Sequence, residues 1–430
     1  MEDAARRAGD SAPNPTVRGL VALAIPALFA GVASALILIA LSVLANKLQR
    51  LLWVTLPDRF GIGSFAGWWV FGVLSVAGLV VGLLVWLLPG HAGPDPATTG
   101  LLSRPLAVSV VPGLAVVVVI GLAGGVSLGP ENPIVAINVA LMVGLAARFW
   151  AKLPGEQVTL LTAAATIGAL FGTPVGAALV FTEMMPRRAG VALWSQIFAP
   201  LLAAAAGAMT MVAFGRPVLS VRVPDYRDAR LVDVLTGSGI AVVAALLCVL
   251  AVYLFPVVHR LFHSVHPTLA LSAGGMVLGV LAVVGGELTM FKGLDEMKTL
   301  TATAGDRSVA GLALITVVKL GALLIAASCG FRGGRIFPAV FVGVGVGLTA
   351  CAAFHTVPTA VGVASGVLGA LMVVARDGWL ALFMAATTVG DIDILPVLCI
   401  VSLPVWLFVM NAREMLIAPE PATTPASGPP

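Results

Sequence analysis

Charge is what this sequence has least of: 10% of its 430 residues are Asp, Glu, Lys or Arg, where a soluble domain carries about 25%. With 59% of the residues apolar, too little polar surface remains to cover a water-soluble body of this size. A soluble globule is excluded, and the solvent of the folded chain is lipid. Basic blocks are missing too. The 24 Lys and Arg against 20 Asp and Glu leave a net charge of +4 spread along the chain, which argues against nucleic acid as a partner. Cysteine is sparse: Cys248, Cys329, Cys351 and Cys399 lie singly in apolar runs without a C-x-x-C pair. They are read as small core residues rather than redox groups or metal ligands. The apolar runs hold no H-E-x-x-H or Walker A sequence and no paired carboxylates. No catalytic residue, metal or cofactor is therefore expected, and the chain is read as a non-enzyme.

What the sequence does have is long uncharged stretches. A hydrocarbon core about 30 Å thick takes about 20 apolar helical residues. The runs 19–46, 60–88, 105–130, 157–182, 189–215, 234–258, 261–286, 308–331, 336–375 and 394–412 are of that kind. They predict an all-α integral membrane protein with about ten or more embedded helical segments. Residues 1–17 are polar, and the run after them is too long for a cleaved leader, so it is expected to stay as a membrane helix. Residues 417–430, rich in Pro, Ala, Thr and Ser, read as a disordered tail. A membrane domain over 18–416 lies between them. Arg6, Arg7 and Arg18 before the first run are balanced by Lys47, Arg50 and Arg59 after it, so charge sets no orientation.

The 48 glycines are more than close helix packing calls for. Many mark breaks, and three breaks fall inside otherwise apolar sequence: 89–96, 129–133 and 330–338. Unpaired backbone in hydrocarbon costs several kcal/mol per group, so a broken helix at membrane depth must be buried in protein or line a wet cavity. A pathway is implied. Glu131 is the lone acid of the second break, and an intramembrane carboxylate is by default a functional group. Pro133 suits the first turn of the following helix, whose free N–H groups and partial positive charge form a natural anion seat. Glu131 is expected to occupy the helix start on which it sits. Two readings are open: a gate and proton acceptor that yields its place to a mobile anion, or a static cap facing a vestibule.

In the third break Gly333 and Gly334 permit a sharp turn before Ile336-Phe337-Pro338 opens another uncharged run. Its amides can converge on the same anion. Arg332 and Arg335 either raise the local anion concentration or snorkel to a headgroup region. The first break supplies His91, either an N–H donor to the anion or a surface histidine, and Asp95 as a cap for a helix expected to follow. His259, His263 and His266, spaced four and three apart on one helical face, could suggest a metal site, but at the end of an apolar run they are read as an interfacial, solvated face. Lys319, alone in its run, could reach an anion path from inside, but is expected rather to snorkel or pair within the protein. Gly121, Gly125 and Gly129, like Gly172 and Gly176, have the spacing of close helix contacts.

Together these residues resemble the chloride channel (CLC) family of anion channels and proton-coupled antiporters. Gly90-His91-Ala92-Gly93-Pro94 looks like the family's G-S-G-I-P loop, Gly129-Pro130-Glu131-Asn132-Pro133 like its G-[KR]-E-G-P loop, and Gly334-Arg335-Ile336-Phe337-Pro338 like its G-x-F-x-P loop. The stretch from Phe171 to Met185 is similar to the helix carrying its acidic pair. The resemblance implies an inverted-repeat fold with a boundary near 216–236 and a homodimer with one pore per chain. It implies anion contacts at His91, Gly129, Pro130, Asn132, Gly334, Arg335, Ile336 and Phe337, with Glu131 as the gate. His91 stands where the family has serine, Asn132 where it has glycine, and Pro130 where it has a basic residue. Met184 replaces the internal proton-transfer glutamate, beside Glu183, and the late tyrosine has no counterpart. The expected function is chloride-type anion transport in the cell membrane. Fluoride or another anion, or a cation or neutral solute held by Glu131, are the alternatives.

Overall fold

Glycine and proline cut the apolar runs into helices. The structure, a computed structural model, describes residues 16–417 apart from 64, 103, 185–190, 216–218 and 228. The expected polar segment and tail therefore lie largely outside the described residues. The first series of helices is α1 (Val17–Arg50), α2 (Gly67–Leu87), α3 (Val111–Ala123), α4 (Glu131–Phe149), α5 (Gly155–Phe171), α6 (Pro174–Met184) and α7 (Leu193–Ala213). The second is α8 (Leu231–His263), α9 (Pro267–Gly285), the short α10 (Leu294–Ala302), α11 (Val309–Ser328), α12 (Ile336–Ala353), α13 (Thr359–Val374), α14 (Gly378–Val389) and α15 (Leu395–Val409). Among the described residues, eight helical stretches are long and apolar enough to cross a membrane.

With α10 set aside, the two series correspond helix for helix. The match is closest around the second and third breaks, where 124–131 and 329–336 pass through the same succession of turn, bend, bridge and helix start. Gly125 and Gly330 take nearly the same left-handed backbone, with φ +94° and +98°. The run 336–375 is not one element. It folds at Phe354–Pro358 into the antiparallel pair α12 and α13, and 157–182 divides into α5 and α6 at Gly172, a left-handed helix end with φ +67°.

The core is built on the second series. Every residue of α12 from Ile336 to Leu348, and of α13 from Ala360 to Val374, is buried. These two helices cross closely enough that a Cβ at Gly343 would fall against the Val367 backbone, and α2 crosses α9 at Gly78 and Gly275 in the same way. Dispersion contact and small residues, rather than hydrophobic exclusion, hold helices together in lipid. The spacing argument misplaced some of these contacts: nothing approaches a Cβ built at Gly121 or Gly172, while Gly176 does meet Phe383.

No α-helix opens at the first break, which holds only the 3-10 turn Pro89–Ala92. Residues 93–102 and 104–107 are turns, bends and irregular backbone, and only the 3-10 turn Val108–Val110 leads into α3. Pro94 and Pro96 bracket Asp95, remove two N–H donors and push their predecessors out of the helical region. Asp95 caps a turn instead, accepting from the Ala97 N–H at 2.9 Å.

Lys319 of α11 is fully buried and does not snorkel. Its Nζ donates to the carbonyl oxygens of Met290 at 2.7 Å, Phe291 at 2.8 Å and Thr289 at 3.3 Å, and lies 5.1 Å from the centre of the Phe341 ring. The loop before α10 thus folds its carbonyls around an ammonium. Lys319→Met, similar in length but without donors, leaves those oxygens unmet. Each unmet buried acceptor costs about 1–3 kcal/mol, so a clear drop in the thermal unfolding midpoint of detergent-solubilised protein is expected. An unchanged midpoint would refute the assigned role.

Candidate functional site

The second and third breaks meet. Gly129 and Gly334 form a two-residue antiparallel bridge, with Gly129 N–H donating to Gly334 O at 2.8 Å and Gly334 N–H donating to Gly129 O at 2.6 Å. From this crossing α4 and α12 depart, each two residues further on, so two helix N-termini are brought to one place in the interior. A helix start carries about half a positive charge in its unpaired N–H groups.

Glu131 lies between them, with no solvent exposure. Its Oε1 accepts from the Phe337 N–H at 2.6 Å, and its Oε2 has no partner. The carboxylate therefore caps α12, from across the bridge, rather than the helix on which it sits. Sequence alone pointed to the nearer helix start, because the partner lies far away along the chain. Glycine is required at both bridge positions for a steric reason: a Cβ on Gly129 or Gly334 would fall on the Glu131 carboxyl group. Phe337 is fixed in turn by the Phe171 ring at the end of α5, with centroids 5.4 Å apart.

Pro130 and Arg335 occupy equivalent places just before α4 and α12 and leave their carbonyls to the helices, accepting from Ile134 at 2.9 Å and Ala339 at 3.1 Å. Arg335 is 7% exposed, and its Nη1 is buried without a partner. It lines a cavity of about 300 Å³ together with Asn132, Ile336, Glu183, Asp377 and Glu414. That cavity reaches the residues next to Glu131 and Phe337. The Asp377 carboxylate faces a helix start of its own, accepting from the Leu380 N–H at 2.7 Å. Arg376 is tied to the end of α15, donating to Val409 O and to Met410 O at 3.3 Å.

Of the residues singled out from sequence, Gly129, Pro130, Glu131, Asn132, Gly334, Arg335, Ile336 and Phe337 come together. His91 does not join them. It is exposed with φ +53°, and its Nδ1 lies 3.1 Å from Val85 O. Arg332 does not face the site either. Its guanidinium donates to Gly330 O at 3.0 Å and to His91 O at 3.0 Å, holding the first break to the third.

Two features escaped sequence reasoning. Gly125-Val126-Ser127-Leu128-Gly129 spells G-x-S-x-G, the lettering of a hydrolase nucleophile elbow. Ser127 follows a helix rather than a strand, and its Oγ is buried without a partner. The strand-to-helix turn that exposes such a nucleophile is absent here. The second is an encounter of Asp95 with His259 and His263: His263 and His266 are exposed as expected, whereas His259 is 8% exposed.

Curated proteins from several Salmonella strains are similar over nearly the whole chain. One, from Salmonella newport (strain SL254) and named "Putative ion-transport protein YfeO", is 47% identical over 410 residues, covering 94% of this chain and 98% of that protein. The fold is similar to that of a slow cyanobacterial Cl⁻/H⁺ antiporter, with a TM-score of 0.74 and 18% identity over 91% of this chain and 95% of that one. It is also similar to a CLC-type fluoride/proton antiporter, with a TM-score of 0.73 and 17% identity over 93% of this chain and 98% of that one. Residues 77–405 match the family described as "Voltage gated chloride channel". The paired breaks, the membrane-length helices and this match agree: the chain belongs to that family of ion channels and transporters, which is not a family of enzymes, and is a multi-pass membrane protein.

Proposed function

We propose that this protein carries chloride-type anions across the membrane through the crossing of α4 and α12, with Glu131 as the gate. One observation carries the reading: a buried carboxylate takes an amide of the α12 start at 2.6 Å while its second oxygen has no partner. Backbone N–H groups at a helix start bind anions whatever their source, so a mobile anion competes for the place the carboxylate fills. Protonation removes the charge that holds Glu131 there and favours anion entry. Arg335, with its free Nη1 on the adjoining cavity, supplies the fixed charge that concentrates anions at the approach. A cation carrier would need several oxygens converging on one point, whereas at the crossing amides converge on the single Glu131 carboxylate, and the adjoining cavity sets Arg335 and Arg376 among Glu183, Asp377 and Glu414. The same chemistry suits fluoride, which stands as the alternative cargo. Anion contacts are proposed at Gly129, Pro130, Asn132, Gly334, Ile336 and Phe337 as well as Arg335, and His91 is left with a place on the surface. A pair of chains with one pathway each is part of the proposal, on the strength of the family resemblance, as are the two halves meeting near 216–236. The resemblance puts Met184 where the family's second proton acceptor lies, so proton coupling rests on acids of the cavity such as Glu183 or on none.

Reconstituted liposomes loaded with potassium chloride test this. Efflux is expected to be faster at pH 4.5 than at pH 7.5, and Glu131→Gln is expected to change the rate at pH 7.5 at least tenfold and to abolish the pH difference. Absence of any anion efflux, or a Glu131→Gln protein indistinguishable from the parent, would overturn the gate. Arg335→Gln should raise the chloride concentration needed for half-maximal flux several-fold and leave folding intact.

The crowded carboxylate gives a separate test. Gly334→Ala forces the Glu131 side chain out of its place, an overpacking cost of about 1–3 kcal/mol. The cost should shrink in a Glu131→Ala background, where most of the clash is removed. Equal losses of thermal stability in both backgrounds would show that the carboxylate does not occupy the crossing.

A further inference from the structure

Away from the helix crossing, the loop of the first break meets the end of α8. Asp95 Oδ2 lies 3.1 Å from His259 Nε2 and 2.9 Å from His263 Nε2. The two imidazoles, one helical turn apart, are stacked with centroids 3.7 Å apart. All three donor atoms fall within 4.8 Å of one another. We propose that His259, His263 and Asp95 form a binding site for a divalent first-row transition cation, with zinc as its natural probe.

The hydrogen bonds around the cluster support it. His263 Nδ1 lies 3.1 Å from the His259 carbonyl oxygen. A carbonyl only accepts, so Nδ1 carries the hydrogen, and in the neutral ring Nε2 presents a bare lone pair. That nitrogen lies 2.9 Å from Asp95 Oδ2, near enough for an ion held by the carboxylate to take it as a further ligand. The ring is oriented by the pattern common to metal-bound histidine, in which the second nitrogen donates to a backbone carbonyl. Asp95 is held similarly, its other oxygen Oδ1 accepting the Ala97 N–H at 2.9 Å.

The dimensions fit. Metal–nitrogen and metal–oxygen bonds of about 2.0–2.2 Å place ligand atoms roughly 2.8–3.1 Å apart at right angles and roughly 3.3–3.6 Å apart in a tetrahedron. The two nitrogen–oxygen separations match the right-angle value, and the two ring nitrogens lie within 4.8 Å of one another. Two imidazoles and one carboxylate suit zinc, copper or nickel rather than magnesium or calcium, which require mainly oxygen. The nearby Arg332 charge opposes any cation here, so binding rests on coordination by all three ligands together. The His263 side chain is 39% exposed, so the ion has an entry path and room for water as a further ligand.

An ion here ties the loop to the end of α8. That loop also receives the Ile417 N–H on Ala97 O at 2.8 Å, and its His91 carbonyl receives Arg332 of the third break at 3.0 Å. The site thus lies on the structure bracing the first and third breaks, and its occupancy can be measured without reference to transport.

The experiment is calorimetric titration of zinc chloride into the full-length protein in detergent at pH 7.5, after stripping with a chelator and dialysis. About one zinc per chain with a dissociation constant below about 10 µM is expected, a value at which tenfold changes, each worth 1.4 kcal/mol, are readily resolved. His263→Asn and Asp95→Asn should each weaken binding at least tenfold, whereas His266→Asn, at the neighbouring helix start, should leave it unchanged. Should Asp95→Asn fail to elute as a single species, His263→Asn, altering a partly exposed side chain, carries the test. Binding weaker than about 1 mM in the parent, or equal affinities in His263→Asn and His266→Asn, would overturn the site and leave the cluster as a protonated hydrogen-bonded one.

Discussion

A carboxylate with no access to water is held between two helix starts, and much of this molecule is arranged to make that tolerable. Burying an ionised carboxylate costs several kcal/mol even after relaxation. Here the charge receives an amide at 2.6 Å, two converging helix dipoles and the Arg335 guanidinium in the vicinity. The helix starts come that close because the chain crosses itself on two glycines. A side chain on either glycine would occupy the space the carboxyl group needs. The internal two-fold correspondence of the helices has its physical purpose at this point: it brings the same kind of break, from two distant parts of the chain, to one place.

Three cations of the second series are divided in use, although Arg332, like Arg335, keeps one buried nitrogen without a partner. Lys319 is spent on three loop carbonyls and the Phe341 ring, and Arg332 on carbonyls of the first and third breaks. Both act as internal braces, replacing hydrogen bonds that water would otherwise provide to irregular backbone at membrane depth. Arg335 differs, because one of its terminal nitrogens is left unpartnered beside a cavity. At the crossing the Glu131 carboxylate thus meets the amides of a helix start, with the charges of Lys292 and Arg335 in its surroundings.

Much of the architecture was legible residue by residue. The runs marked the helices because apolar length is a local property, and Gly-Pro clusters marked the breaks because proline and glycine act on the backbone of their immediate neighbours. Glu131 stood out for a similar reason, as a single acid in a stretch with nothing nearby to neutralise it. Errors arose where a local signal was read as a contact. Asp95 looked like a helix cap until the flanking prolines prevented a helix, and Gly121 had the right spacing but no neighbour. His91, open between anion donor and surface histidine, is exposed, with its Nδ1 3.1 Å from Val85 O.

The sequence by itself determined that the chain lives in lipid, that its helices are interrupted in three places, and that an acid lies at one interruption. Each of these depends on composition or on residues within a few positions of one another. Tertiary structure alone decided that Glu131 caps α12 rather than α4, that Lys319 is enclosed by carbonyls, and that Asp95 lies against two histidines of α8. Those outcomes join residues far apart in the chain. They depend on which helices cross and at what angle, and packing sets that through many weak contacts, none of which a single stretch of sequence specifies.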